Sequence, residues 1–499
     1  MDVDQTPKPK RRRVGCIGCR LRRKKCSDEK PHCANCLRNA ILCTWPEPGN
    51  MQHAELLRRT NPTRRKPKPG VATATSNAST PNTTTLNEAN VDSPNHPGDE
   101  TDTIMELLRL VPRSLDPQML MGNLRQPVSR RLFHHYLHRT NKAIAICQGT
   151  RNPFVADLIP MAMSNDLILD GLLACSGIHF ADLAGGPVEP TTWFHYGQAV
   201  QGQKFGLTRL AEGQDHLLVP LLVTAMLLCI VETFRADSGA FALHHLRAAS
   251  VLLKKMLQLP NSKLDEGTRA FVLERYAYTM TLAHITMGPE SDGWVIDDLA
   301  LVFPTIQNSP SSGCVHELFQ QIPSVSIMAR QWAAETRSGN VSDDTIIEYE
   351  SLHFSISSWL PDSEDEIYRL CGLLYQQALL VYLAASSTSE MDAPLGYSTQ
   401  VQEAFDHFIP LLESIPPDSS ISTTLCWPLA IFGSCARTVE HRRVISQRLD
   451  VLSSVYSAQS VRDAKLLLEK LWQEEEPHLA SPLSLERIMK EQKMTVLFL

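Results

Sequence analysis

The sequence predicts a chain in three parts: a small metal-held head with two short helices, a disordered linker, and a large all-α domain. Three observations predict this. Six cysteines, Cys16, Cys19, Cys26, Cys33, Cys36 and Cys43, follow the spacing C-x2-C-x6-C in each of two halves. Pro, Thr, Asn and Ser then dominate residues 61–98, a composition that buries too little apolar surface to fold. From about residue 102 apolar residues recur at helical spacing, and strand-like alternation is scarce.

The head comes first. A C-x2-C turn can present two sulfurs to one ion. Six residues then suit a short helix that returns the third sulfur to the same side. Each half thus supplies three thiolates, one fewer than tetrahedral zinc requires. Two ions need eight metal–sulfur bonds, and six thiolates make them if two sulfurs bridge. Two Zn²⁺ with six thiolates leave a net negative charge, which nearby Lys and Arg offset. Zinc is the expected metal because all-sulfur tetrahedra suit it, with iron–sulfur ligation as the formal alternative.

The halves differ between their second and third cysteines. The first carries Arg20-Leu21-Arg22-Arg23-Lys24-Lys25, and the second Leu37-Arg38-Asn39-Ala40-Ile41-Leu42. The first helix should therefore meet DNA while the second packs against it. A disulfide-bonded secreted module is the competing reading of six cysteines. No apolar signal region follows the N-terminus, so no secretory signal is expected. Lys8, Lys10, Arg11, Arg12 and Arg13 read instead as a nuclear localisation or phosphate-binding arm. Seven further cysteines at 147, 175, 229, 314, 371, 426 and 435 lie singly in apolar surroundings, as buried reduced thiols do. A zinc module that binds only protein is a second alternative, and the charge pattern argues against it.

Residues 14–45 resemble the fungal binuclear zinc cluster, the Zn(II)2Cys6 family of transcription factors, with all six cysteines and the basic run in register. The resemblance implies that Cys16 and Cys33 bridge the two zinc ions. Cys19 and Cys26 would complete one site, and Cys36 and Cys43 the other. It also implies a loop proline, here Pro31, and a CGG-type half-site. The family often alternates basic residues before the third cysteine, whereas here Arg22 to Lys25 are all basic. By the matching positions, Arg22 and Arg23 are expected to read bases, each bidentate pair discriminating by roughly 1–3 kcal/mol. Arg20, Lys24, Lys25 and Arg38 are expected to contact phosphates. Solvated charge is the bland reading of any one of these residues.

Charge is divided along the chain. Residues 1–70 carry a net +12 and residues 71–499 a net −18, so the head and not the body is expected to bind a polyanion. The linker, residues 46–101, opens on Arg58, Arg59, Arg64, Arg65, Lys66 and Lys68. Many relatives of such heads carry a coiled coil here, but no heptad pattern is sustained. A three-base-pair word recurs too often by chance to address one promoter. Either the helical domain forms a homodimer or co-regulators and the transcription machinery supply specificity.

Residues 102–499 read as an all-α domain of about a dozen helices, with Gly and Pro mostly between them. Helical pairs include Leu132-Phe133 with Tyr136-Leu137, Leu167-Ile168 with Leu172-Leu173, and Val251-Leu252-Leu253 with Met256-Leu257. The longest apolar run, residues 217–231, contains Pro220 and Thr224 and is expected to fall short of a membrane span and form a core helix. No membrane partner is expected. This part resembles the fungal-specific transcription factor domain. The resemblance lies in blocks such as Leu132-Phe133-His134-His135-Tyr136-Leu137, Arg151-Asn152-Pro153-Phe154 and Trp427-Pro428-Leu429. It implies a helical regulatory domain that dimerises or binds small effectors.

Several residues have sharper readings. His134 and His138 lie four apart and could chelate a metal, as could His244 and His245, although no carboxylate completes a site. Met161, Met163, Met226 and Met256 could line an effector pocket, but core filling is the commoner use. Asp99, Glu100, Asp102 and Glu106 interleave with Ile104, Met105, Leu107 and Leu108 as activation segments do. A helix N-terminus with favourable acidic residues is the preferred reading. The same applies to Glu474-Glu475-Glu476. No dinucleotide fingerprint, P-loop, G-x-S-x-G or H-E-x-x-H is present, so no enzyme is expected. The expected function is a nuclear, zinc-dependent regulator of RNA polymerase II promoters. By analogy it would activate a secondary-metabolite gene cluster. The alternative is a ligand-gated regulator of lipid, sterol or drug-response genes.

Overall fold

A computed structural model describes residues 25–27, 30, 33–34, 123–145, 152–235, 240–259, 266–306, 316–387, 396–456, 458–474 and 481–499. The chain divides into two compact units, Met1–Pro94 and Asn95–Leu499. The expected basic arm and linker, and the acidic–apolar stretch at 99–108, lie outside the described residues.

The second unit is helical, with no strand among the described residues. Its α-helices are α1 (Pro127–His135), α2 (Asn141–Ile144), α3 (Pro153–Ala156), α4 (Leu158–Ser164), α5 (Asp166–Leu183), α6 (Pro190–Ala211), α7 (Leu218–Phe234), α8 (Ala240–Leu257) and α9 (Glu266–Met287). They continue as α10 (Asp292–Ile306), α11 (His316–Ser338), α12 (Asp343–Ser357), α13 (Glu366–Ser387), α14 (Gly396–Ser414), α15 (Cys426–Cys435), α16 (Val439–Tyr456), α17 (Gln459–Trp472) and α18 (Pro482–Glu491). The all-α expectation holds, with more helices than the dozen expected. The surplus comes from segments such as α2 and α3, four residues each, too short to display a period.

Caps and prolines set many of the starts. The Asn165 side chain accepts from the Leu167 and Ile168 amides to open α5, and Ser342 accepts from Thr345 to open α12. Pro153, Pro190 and Pro482 sit in first turns, where a missing amide costs nothing. Three other prolines depart from the expectation that proline marks boundaries: Pro304, Pro323 and Pro410 lie inside α10, α11 and α14. Tertiary packing there outweighs local propensity.

Helix α7 is the centre of the first half. It packs on α5, α6 and α8, and nearly all its side chains are buried. Close approach is secured by glycine. A methyl at Gly206 would lie 2.6 Å from Leu221 Cδ2, and one at Gly177 would overlap the Thr192 side chain. Residues 215–234 and 366–385 are long and apolar enough to cross a membrane. The expectation that the first run falls short of a span is thus corrected. The expectation of a core helix stands, because that stretch is 78% buried within the domain.

In the second half α13 packs on α11, α14 and α15. Trp427 and Tyr375 stack with centroids 5.7 Å apart, and Phe408 stacks on Phe432 at 3.7 Å. Cys175, Cys229, Cys371, Cys426 and Cys435 are all buried, as expected. Burial pushes the Cys175, Cys229 and Cys426 thiols up to about 12, so they stay neutral. Cys147 and Cys314 lie outside the described residues.

Candidate metal centre and nucleic-acid interface

Two of the six head cysteines are described. Cys33 is buried completely and Cys26 partly, while Lys25 beside it is exposed. The Ala34 amide donates to Ser27 Oγ at 2.8 Å. That bond joins the residue after Cys26 to the residue after Cys33 and so draws the two cysteine backbones together. The intervening chain, Ser27-Asp28-Glu29-Lys30-Pro31-His32, is polar. Cation ligation supplies a reason for that burial, so both residues fit a thiolate–zinc set. Cys16, Cys19, Cys36, Cys43, Arg20, Arg22, Arg23, Lys24, Arg38 and the arm residues Lys8, Lys10, Arg11, Arg12 and Arg13 lie outside the described residues.

The helical domain separates the other candidates. His134 and His138 do sit close, with ring centroids 4.2 Å apart. Among the described residues, no group of three or more His, Cys, Asp or Glu is placed to hold a metal. The hydrogen-bonded histidine pair is one that spacing could not reveal: His135 Nε2 lies 3.2 Å from His179 Nδ1, from 44 positions away. His179 also meets Thr140 Oγ1 at 3.0 Å and the Tyr456 carbonyl at 3.2 Å. Burial, assisted by neighbouring positive charge, pushes both rings down to about 4. They are therefore a neutral hydrogen-bonded pair at physiological pH. Burial likewise lowers His245 to about 4, with His244 adding to the effect.

A second constellation was also hidden from motif reading. His195 Nδ1 donates to Asp170 Oδ1 at 2.7 Å, and Ser129 Oγ lies 2.8 Å from His195 Nε2. Asn123 Nδ2 donates to the same carboxylate at 3.2 Å. The order serine, histidine, aspartate matches a nucleophile, a base and its orienter. Ser129 has no exposed surface and His195 only 2%, so no substrate carbonyl can reach the hydroxyl. The relay ties the start of α1 to α5 and α6. Burial raises the Asp170 pKa, and the His195 hydrogen bond partly offsets that shift.

The methionines are packing. Met163, Met226 and Met256 are buried in the core and Met161 packs against it. A partly open pocket near Arg275, Tyr278, Phe234 and Thr423 has a volume of about 40 Å³, room for a water or two. A larger groove of about 410 Å³ lies at the surface beside Leu373, Gln377, Asp406 and Leu411. Glu474 of the acidic triplet pairs with Arg487, and Glu475 and Glu476 lie outside the described residues.

A family model described as the fungal specific transcription factor domain matches residues 131–499. The chain belongs to that family. A second model, the fungal Zn(2)-Cys(6) binuclear cluster domain, matches residues 14–51 of this family member. Zinc cluster transcription factor CZF1 of Candida albicans is 49% identical over 43 residues, 9% of this chain and 11% of the relative. Transcription factor lfc1 of Flammulina velutipes is 38% identical over 60 residues, 12% and 21% respectively. Transcriptional regulatory protein UME6 of Saccharomyces cerevisiae is 36% identical over 66 residues, 11% and 8%. The chain thus spans about a tenth to a fifth of the length of these curated relatives. No solved structure matches. The matched families and relatives are transcription factors rather than enzymes.

Proposed function

We propose that this family member is a nuclear, sequence-specific regulator of RNA polymerase II promoters whose head is folded by two zinc ions and reads CGG-type half-sites. The cysteine repeat in the head, matched by the zinc cluster model over residues 14–51, carries this reading. Cys16, Cys19, Cys26, Cys33, Cys36 and Cys43 would hold the metal, which supplies folding energy and no chemistry. Arg22 and Arg23 would meet guanine edges, while Arg20, Lys24, Lys25 and Arg38 would hold phosphates. The arm Lys8–Arg13 would direct nuclear import. The divisions are proposed as arm 1–13, head 14–45, linker 46–101 and helical domain 102–499. The last would dimerise, meet co-regulators and control output.

By analogy the targets would be a secondary-metabolite gene cluster, with activation the expected sense. The ligand-gated alternative asks for an interior cavity of several hundred Å³ to hold a lipid or sterol. The test is a substitution pair. Arg23→Ala should relax base preference by roughly 1–3 kcal/mol, and Lys25→Ala should weaken all duplexes alike. Equal losses on specific and random duplexes for both variants would refute the assignment.

A further inference from the structure

Helix α1, the π turn Tyr136–Thr140 and α2 form one continuous stretch from Pro127 to Ile144, about 27 Å long at 1.5 Å per residue. Ser129, Leu132, Tyr136, Thr140 and Ile144 form its buried edge. The other side is cationic. Arg130, Arg131, Arg139 and Lys142 are exposed there, with His134 among them. No Asp or Glu occurs between Asp116 and Asp157, although residues 71–499 carry a net −18.

Neighbouring carboxylates do not cancel this face. Glu189 is held by Arg131 at 2.8 Å, and Asp182 by Arg462 at 2.7 Å. Arg130, Arg139 and Lys142 have no carboxylate within ion-pair distance among the described residues. Arg130, His134 and Lys142 fall at multiples of four residues, about 6 Å per step along the axis, and Arg139 is a further exposed cation of the same stretch. A face kept soluble by charge needs mixed signs, whereas a field of one sign over this length steers a polyanion.

We infer that the exposed face of α1–α2 is a second nucleic-acid site, which binds the sugar–phosphate backbone of duplex DNA without reading bases. This rests on the DNA-binding reading above. It departs from the expectation that the body of the chain avoids polyanions, which rested on net charge alone, because the cations here are segregated onto one surface. Contacts to flanking backbone add affinity for every sequence alike and lengthen the footprint beyond a three-base-pair word.

The test uses the full chain and a 40-base-pair duplex centred on the sequence that the wild-type protein selects from a random pool. Binding is measured over a range of salt concentrations for wild type and for R130Q/R139Q/K142Q. All three residues are exposed, and glutamine favours helix. The slope of log affinity against log salt should become shallower by about 2 to 3, with base preference unchanged. The charge-keeping R130K/R139K should retain the wild-type slope. Trimming the duplex to the selected core should erase the difference between wild type and the triple variant.

An unchanged slope on the long duplex overturns the inference while leaving the head's role intact. So does an unchanged slope joined to lost binding of anionic vesicles or an acidic peptide. A wild-type chain that binds no duplex at any salt refutes the DNA-binding reading itself and takes this inference with it.

Discussion

The head and the helical domain reach a folded state by different physics. Between Cys16 and Cys43 the large apolar side chains are few: Ile17, Leu21, Leu37, Ile41 and Leu42. They cannot form a core large enough to offset chain entropy. Ligation must do so, and the metal is then part of the fold. The helical domain buries Trp427, Tyr136, Tyr276, Tyr375, Tyr382, Phe405, Phe408, Phe432 and Phe498 nearly completely. That packing holds its helices together. A basic surface can therefore be rigid in the head only with metal, whereas the one on α1–α2 is rigid through packing.

Perturbing one region should leave the other intact, and the sharpest contrast is in the cores. Trp427→Ala removes a fully buried ring stacked on Tyr375 and should destabilise the helical domain by about 3–5 kcal/mol. Zinc content per chain should be unchanged, as metal analysis beside thermal unfolding would check. Next in size is Gly177→Ala, which forces a methyl into Thr192. A loss of about 1–3 kcal/mol is expected from overpacking, and Thr192→Ser should recover part of it in the double variant. Full stability in the single variant would show that α5 and α6 can separate at no cost.

Smallest is a pH effect confined to the helical domain. His135 and His179 have folded-state pKa values near 4, below the ordinary imidazole value near 6.5. Between these values the unfolded chain binds more protons than the folded one. Stability should therefore be complete above about pH 6.5 and decline as pH falls toward 4. His179→Gln should flatten that decline when urea midpoints are compared across the window. An unaltered pH slope would remove the pair from the explanation.

The sequence disclosed what is local. Cys16 to Cys43 is short enough for spacing alone to announce a metal centre. The periods around Leu172 and Leu252 announced helices at α5 and α8. Long-range contacts left no trace. Ser129 lies 66 positions from His195, and His195 lies 25 from Asp170, so no motif could join them. The i, i+4 rule found His134 and His138 together and missed His135 with His179, because only the packing of α1 on α5 brings that pair together. The cationic face of α1–α2 was present in the sequence as a stretch free of Asp and Glu. Its meaning depended on knowing which side of the helix Leu132 and Tyr136 bury.

Zinc removal from the intact protein is the most direct test of a head that owes its fold to metal. Structural zinc is worth on the order of 10 kcal/mol. A chelator should therefore release two zinc ions per chain and abolish preference for the selected DNA sequence, while the thermal transition of the helical domain stays in place. Sequence-specific binding that persists after complete metal removal would contradict it.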